Sequence, residues 1–146
     1  MFVIGRESIA GMIPHAGTMC MIDAVVAWDA TSLRCLSRSH HDPANPMRRP
    51  DGVLSAACGI EIAAQAMALH GRLLSKVSAP PVRGLLVSVR DVHLGVRRLD
   101  SVAGDLVVNT KLLQGDGQGA TYQFVVASEG IVLLSGRALV VFGAAA

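Results

Sequence analysis

The sequence predicts an α+β fold in which an antiparallel sheet curls around a single long helix. One long run of good helix formers lies in the middle of the chain, and strand-like runs lie on both sides of it. A parallel sheet would need several crossover helices, and the sequence shows only one long helix. The 146 residues contain no repeat and no linker, so a single domain spanning residues 1–146 is expected.

The predicted helix runs from Val53 to about Lys76, where Ala, Leu, Met, Glu and Gln dominate. It is apolar on nearly all sides, which is typical of a helix buried in a core. Its polar residues cluster towards its end, and the two prolines Pro80 and Pro81 stop it. Glu61 therefore stands out as a carboxyl on an otherwise apolar helix.

Two predicted strands precede the helix and five follow it, with turns rich in Gly and Asp between them. The strands are Met19–Trp28, Ser32–Ser39, Arg83–Val89, His93–Arg97, Asp105–Leu113, Ala120–Ala127 and Ile131–Phe142. A short helical turn is expected at Ser8–Met12. The loop between the second strand and the helix holds three prolines, a density that excludes a helix and a central strand.

The composition narrows the class of function. Apolar residues make up 51% of the chain, an excess that calls for a deep core, a subunit interface or a tunnel for an apolar ligand. A net charge of +2 and 3% aromatic residues argue against nucleic acid as a partner. Cys20, Cys35 and Cys58 form neither a disulfide framework nor a zinc site, and they fit a reducing cytoplasm. No metal, cofactor, secretory signal or membrane span is predicted.

Three segments together resemble the bacterial β-hydroxyacyl-acyl-carrier-protein dehydratases. Pro14–Asp23 resembles the Pro-His-x-x-Pro opening and its later Asp, and Gly59–Ala66 resembles the (Leu/Ile)-Glu-x-Met-Ala-Gln helix. Leu99–Leu106 is similar to the Pro-Gly-Asp strand entry. The aryl-polyene and xanthomonadin-type branch is the part of the family that the chain resembles most. The resemblance implies a hotdog fold, a homodimer or a heterodimer with another hotdog protein, and an active site at the subunit interface.

The resemblance also implies loss of water from a 3-hydroxyacyl thioester on acyl carrier protein or CoA, in fatty-acid, polyketide or polyene biosynthesis. This reaction needs a base, an acid and donors for an enolate-like oxygen. Glu61 matches the family's catalytic Glu, and burial on an apolar helix would favour the protonated form that an acid needs. Gly59 or the Ala56-Ala57 region would let the thioester approach the backbone closely. Gln65 would bind substrate, orient Glu61 or form a hydrogen bond across a dimer.

The chain departs from the family in the loop before the helix. The family has Gly-His-Phe-Pro-Gly there, with its His fourteen residues before the Glu, and Met47 occupies that position here. The candidate bases are therefore His41 and, second, His40. Asn45 would bind substrate or cap the loop, and His15 would bind substrate or stabilise a turn. The Arg48-Arg49 pair would dock an acidic carrier protein or form ordinary surface charge.

Two other functions fit the same residues. The chain would be an acyl thioesterase if Glu61 activated water as a general base. It would be a non-catalytic hotdog subunit, paired with an active dehydratase, if the missing His loop meant a lost site. A bland alternative for Glu61 itself is a satisfied buried carboxyl or an ion pair at an interface.

Overall fold

The computed structural model of the chain describes residues 4–13, 17–75, 84–116 and 118–142. Within these residues, seven strands form one antiparallel sheet. They are β1 (Ile4–Gly5), β2 (Ala24–Trp28), β3 (Ser32–Ser37), β4 (Gly84–Leu94), β5 (Leu106–Gly115), β6 (Gly119–Ser128) and β7 (Ile131–Phe142). Their order across the sheet is β1-β2-β3-β5-β6-β7-β4, so the strand that follows the long helix lies at one edge.

The long helix, α2, spans Cys58–Leu74 and packs against the inner face of the sheet, on β3, β5, β6 and β7. Along β6, and along β5 as far as Thr110, every second side chain is buried, as expected for strands with one face towards a core. Tyr122 and Phe124 of β6 fill the space under the helix and are 1% and 0% exposed. The predicted architecture, a curled antiparallel sheet around one long helix, is confirmed.

The predicted helix start at Val53 is wrong by five residues. Residues 54–56 instead pair with the segment 97–100: the Leu99 N–H donates to the Leu54 carbonyl at 2.8 Å, and the Ala56 N–H donates to the Arg97 carbonyl at 3.0 Å. The Asp100 carboxylate accepts the Leu54 N–H at 2.9 Å. These long-range hydrogen bonds hold the segment outside the helix despite its high helix propensity.

The two strands predicted at Arg83–Val89 and His93–Arg97 form one strand, β4, which ends at Leu94. Its register against β7 shifts between Arg90 and His93, where Asp91 adopts a left-handed φ of 53°. A bulge inserts residues without ending the pairing, so the polar interruption seen in the sequence is not a turn. The strand predicted at Met19–Trp28 begins only at Ala24, and a short 3-10 turn occupies Gly17–Met19.

A short helix, α1, spans Arg6–Ala10, close to the helical turn predicted there.

His70, near the end of α2, connects the helix to the sheet and to the β2–β3 turn. Its Nδ1 lies 2.7 Å from the Tyr122 hydroxyl and its Nε2 lies 2.8 Å from the Asp29 carbonyl oxygen. Within the described residues, no helix is long and apolar enough to cross a membrane.

Candidate active site

Glu61 lies on the one stripe of α2 that the sheet leaves partly open. Ile60, Glu61 and Ala64 are half-buried, whereas their neighbours Gly59 and Ile62 are buried against the sheet. Residues three and four apart share a helix face, so this stripe is a carboxyl with apolar neighbours.

Gln65 lies one turn after Glu61 and is 1% exposed. Its Nε2 donates to the Met19 carbonyl at 2.7 Å and lies 3.5 Å from Glu61 Oε1. Its Oε1 accepts the Met21 N–H at 2.9 Å. The amide therefore fixes the 19–21 segment against the helix and faces the Glu61 carboxyl. The contact with Glu61 fits an orienting role for Gln65, and both this role and its predicted contact with substrate stay predictions.

His40 and His41 lie on a single 3-10 turn, Ser39–His41, with ring centroids 3.8 Å apart. Nε2 of His40 lies 2.9 Å from the Gly104 carbonyl oxygen, and Nε2 of His41 lies 2.6 Å from that of Val102. Because a carbonyl can only accept, each neutral ring carries its proton on Nε2 and keeps a lone pair on Nδ1. Both rings are therefore held through Nε2, with Nδ1 as the remaining acceptor, by carbonyls of the 102–104 segment.

Exposure distinguishes the two histidines. His40 is 0% exposed, and its Nδ1 is buried without a hydrogen-bond partner. Burial lowers the pKa of His40 below its usual value, helped by the neighbouring His41, although the carbonyls of Gly104 and Val102 oppose the shift. His41 is exposed and can meet a substrate. Geometry thus favours His41 over His40 as a base.

His41 lines a cleft of about 430 Å³. The cleft is lined by Arg6, Cys20, Asp23, Arg38, Ser39, His41, Asp42 and Asn45. Cys20, in its wall, lies between the two residues that Gln65 binds, so one short segment connects the cleft to the Glu61 stripe. Among the described residues, neither histidine ring makes a hydrogen bond to the Glu61 carboxyl.

The family model described as ApeP-like, ApeP dehydratase, matches residues 7–144. The chain belongs to this family. The hotdog architecture and the dehydratase class expected from the three sequence segments are therefore confirmed. Among proteins with curated functions, none matches the chain in sequence.

Solved structures share the fold of this ApeP-like dehydratase. One chain of the dehydratase heterocomplex ApeI:P from Xenorhabdus doucetiae is 20% identical, with a TM-score of 0.84 over 94% of this chain and 91% of that chain. An HP0420 homologue from Helicobacter felis is 14% identical, with a TM-score of 0.63 over 94% and 88%. A thioesterase variant from Pseudomonas aeruginosa is 13% identical, with a TM-score of 0.58 over 81% and 78%.

The loop of this dehydratase is held together by Arg48 and Asn45. The Arg48 guanidinium donates to the carbonyls of His40 at 2.8 Å, Asp42 at 3.0 Å and Gly52 at 2.7 Å. Asn45 is 5% exposed; it donates to the Ser39 carbonyl and accepts the Met47 N–H, each at 2.9 Å. Both side chains are thus used inside the loop, and the substrate role of Asn45 stays a prediction.

Carrier docking by the Arg48-Arg49 pair also stays a prediction, and the structure gives its two members different surroundings. The guanidinium of Arg48 is turned into the loop, whereas Arg49 is exposed and forms an ion pair with Asp51 at 3.1 Å. Only Arg49 presents its charge to solvent in the manner that docking requires.

Gly59 makes a close approach to the sheet. A Cβ at this position would lie 2.6 Å from Cδ2 of Leu134 on β7, so glycine allows the start of α2 to lie on that strand. Its N–H donates to the Ala56 carbonyl at 3.0 Å. The predicted approach of a thioester at Gly59 stays a prediction, and His15 lies outside the described residues.

The structure adds partners that the sequence did not assign. The third family-like segment, Leu99–Leu106, supplies the two carbonyls that orient His40 and His41. The first segment ends at Asp23, whose carboxylate accepts the Arg38 N–H at 2.6 Å and pairs with Arg6 at 3.2 Å. Their family-like spacing was a usable signal, but the strand entry was not expected to meet the loop histidines.

Met47 stands where the bacterial β-hydroxyacyl-acyl-carrier-protein dehydratases have the histidine of their Gly-His-Phe-Pro-Gly loop. It is partly buried and packs against the hydrophobic core. Its carbonyl oxygen lies 4.0 Å from Sγ of Cys58 at the start of α2. The position is therefore close to the helix, but it carries an apolar side chain that cannot accept a proton.

Proposed function

We propose that this dehydratase removes water from a 3-hydroxyacyl thioester bound to an acyl carrier protein, in the synthesis of a polyene or a related acyl chain. Glu61 protonates the hydroxyl, which leaves C3 as water, while a histidine takes the proton from Cα. The double bond forms between Cα and C3. The observation that carries the proposal is Glu61 itself, half-buried on the open apolar stripe of α2 and faced by the Gln65 amide.

We infer that the base is His41, supplied by a second subunit. His41 is exposed, has a lone pair on Nδ1 and lines the cleft. Within one chain it is not bonded to Glu61, and both residues lie on surfaces that a neighbour can cover. A site shared between subunits brings the two groups together without moving either element.

Replacement of Glu61 by Gln tests the acid. Glu61→Gln keeps the shape and the contact with Gln65 but has no carboxyl proton, so dehydration of a 3-hydroxyacyl carrier-protein thioester should fall by about 10²- to 10⁴-fold. The change in absorbance of the enoyl thioester measures the rate. Glu129→Gln, in an exposed turn, is the matched control and should keep full activity. Full activity of Glu61→Gln would refute the acid role, and release of free thiol instead of enoyl product would indicate a thioesterase.

Mixing two inactive variants tests where the base comes from. If each site uses Glu61 of one subunit and His41 of another, a mixture of Glu61→Gln and His41→Ala chains should regain about a quarter of the wild-type activity, because half of the dimers are mixed and each has one intact site. The separate variants should stay inactive. No recovery after subunit exchange, shown to be complete by mass spectrometry, would place both groups on one chain.

A second kind of subunit is the other source of the base. The similar ApeI:P structure is a heterocomplex, and this chain has Met47 where the family keeps its histidine. If the chain is inactive alone, addition of a second hotdog subunit should restore turnover, and Glu61→Gln should abolish it again.

The three cysteines are free thiols, which supports the predicted cytoplasmic location.

A further inference from the structure

The face of the sheet that points away from α2 is basic. It carries Arg34 on β3, Lys111 on β5, Arg137 on β7 and Arg90 on β4, and all four side chains are exposed. On β5, β6 and β7 the outward residues alternate with the buried ones that line the core. This placement puts the four cations on one surface, outside the cleft and the Glu61 stripe.

Three of the cations form a row across the sheet. Lys111 lies opposite Gln123, Gln123 lies opposite Arg137, and Arg137 lies opposite Arg90. Neighbouring strands are about 4.8 Å apart, so the row is about 15 Å long. Arg34 lies opposite Asn109, in the next outward row beside Lys111. The spacing is regular because the strands set it.

The four cations of the outer face differ from other arginines of the chain in their ion pairing. Elsewhere in the chain Arg6, Arg38, Arg49 and Arg98 form ion pairs with aspartates. In the part of the chain that the structure describes, none of the four cations on the outer face forms an ion pair. The Arg90–Arg137 pair is moreover like-charged and directly opposed, which destabilises a sheet. A surface that keeps an unfavourable pair of this kind is typical of a binding site rather than of a stability device.

The pair borders a depression of about 260 Å³. Ser88 and Thr121 contribute hydroxyl groups to it, and Leu139 lies between them, opposite both in register. The Asp91 carboxylate also lines the depression, where the two guanidinium groups outnumber it. Two guanidinium forks with two hydroxyls suit an oxyanion, because arginine binds a carboxylate through paired N–H donors.

We propose that the outer face of the sheet docks a protein with an acidic surface, one of whose carboxylates lies between Arg90 and Arg137. A row about 15 Å long fits several carboxylates spaced along a protein surface better than it fits one small anion. Nucleic acid is the weaker fit, because the aromatic side chains of β6, Tyr122 and Phe124, are buried on the other face and cannot stack on bases. The proposal does not depend on the reaction at Glu61.

A fluorescent peptide of ten glutamates, with a ten-glutamine peptide as its uncharged match, tests the docking face on the full chain. Arg90→Gln and Arg137→Gln should each weaken binding of the glutamate peptide roughly threefold to fivefold, and added salt should weaken wild-type binding. Arg97→Gln removes an exposed charge from the loop after β4 and should leave the affinity unchanged. Both outer-face variants should unfold at the same or a higher urea concentration than wild type, because they relieve a like-charge pair.

Three results would contradict the proposed docking face. An equal loss of affinity in the Arg97→Gln variant would reduce the effect to net charge and overturn the site. Failure of the wild-type chain to prefer the glutamate peptide over the glutamine peptide would overturn it as well. Tighter binding of a poly-uridine strand than of polyglutamate would show a nucleic-acid surface instead. Activity measurements on the same variants keep this result separate from the fate of the Glu61 mechanism.

Discussion

His40 and His41 are adjacent in sequence, but His40 is buried and His41 is exposed. The burial of His40 makes the stability of the protein depend on pH. His40 is 0% exposed, and burial lowers its pKa from the usual 6.5. The unfolded chain therefore binds a proton at His40 at a pH where the folded chain does not. Stability should be unaffected by His40 above pH 6.5 and should fall as the pH drops through 6.5 towards its lower folded pKa.

His40→Gln tests this, because its amide can still donate to the Gly104 carbonyl but does not titrate. Urea unfolding of both proteins at about pH 7.5 and about pH 5.5 should show a larger loss at acid pH for the wild type. An equal acid loss in both proteins would show that His40 is not the titrating group. The same variant should keep its activity if His41 is the base.

At the residue scale, Glu61 and Gln65 were predictable because they lie four apart on one helix, and helix periodicity alone puts them together. The orientation of His41 was not predictable. It depends on the Val102 carbonyl, 61 residues away in sequence, and only the paired strands bring that carbonyl to the ring. Asn45 shows the same limit, because a polar residue in a loop reads identically whether it binds substrate or its own backbone.

Arg48 makes more hydrogen bonds within the loop from His40 to Gly52 than the other side chain that holds it, Asn45. Arg48→Ala removes three hydrogen bonds to loop carbonyls, so the free energy of unfolding should fall by about 1–3 kcal/mol. Amide exchange should accelerate in this loop while β5, β6 and β7 stay protected.

The neighbouring Arg49→Ala is the matched control. Arg49 is exposed and makes one surface ion pair, so its removal should change stability by less than about 0.5 kcal/mol. It should weaken carrier-protein binding if Arg49 docks the partner. Similar stability losses in both variants would show that the loop does not depend on the Arg48 guanidinium.

At the element scale, prolines and alternation located the loop and most strands, and the bounds of β7 at Ile131–Phe142 agree with the prediction. The start of α2 was missed because Leu54 and Ala56 are good helix formers that find backbone partners near residue 97. Local propensity cannot register a partner so distant in sequence. The bulge in β4 was missed for the related reason that β7 continues to pair across it.

For the whole molecule, association should use the edge of the sheet at β4. The other edge strand, β1, has two residues, whereas β4 has eleven and exposes Val87 at 53%. A long apolar edge strand readily pairs with another chain. Val87→Lys should therefore shift the protein towards monomer in sedimentation, whereas Ile131→Lys, at the exposed start of β7, should not. An unchanged assembly in the first variant would exclude this edge.

The contact between His70 and Tyr122 holds the tyrosine hydroxyl in the core, where its ionisation can be followed by absorbance. The chain has a single tyrosine, and burial raises the pKa of its hydroxyl far above the usual value. Native protein brought to about pH 11 should therefore show no tyrosinate absorbance near 295 nm, while the unfolded chain should show it fully. One optical measurement in alkaline solution thus counts the molecules whose helix still lies on its sheet, without any label.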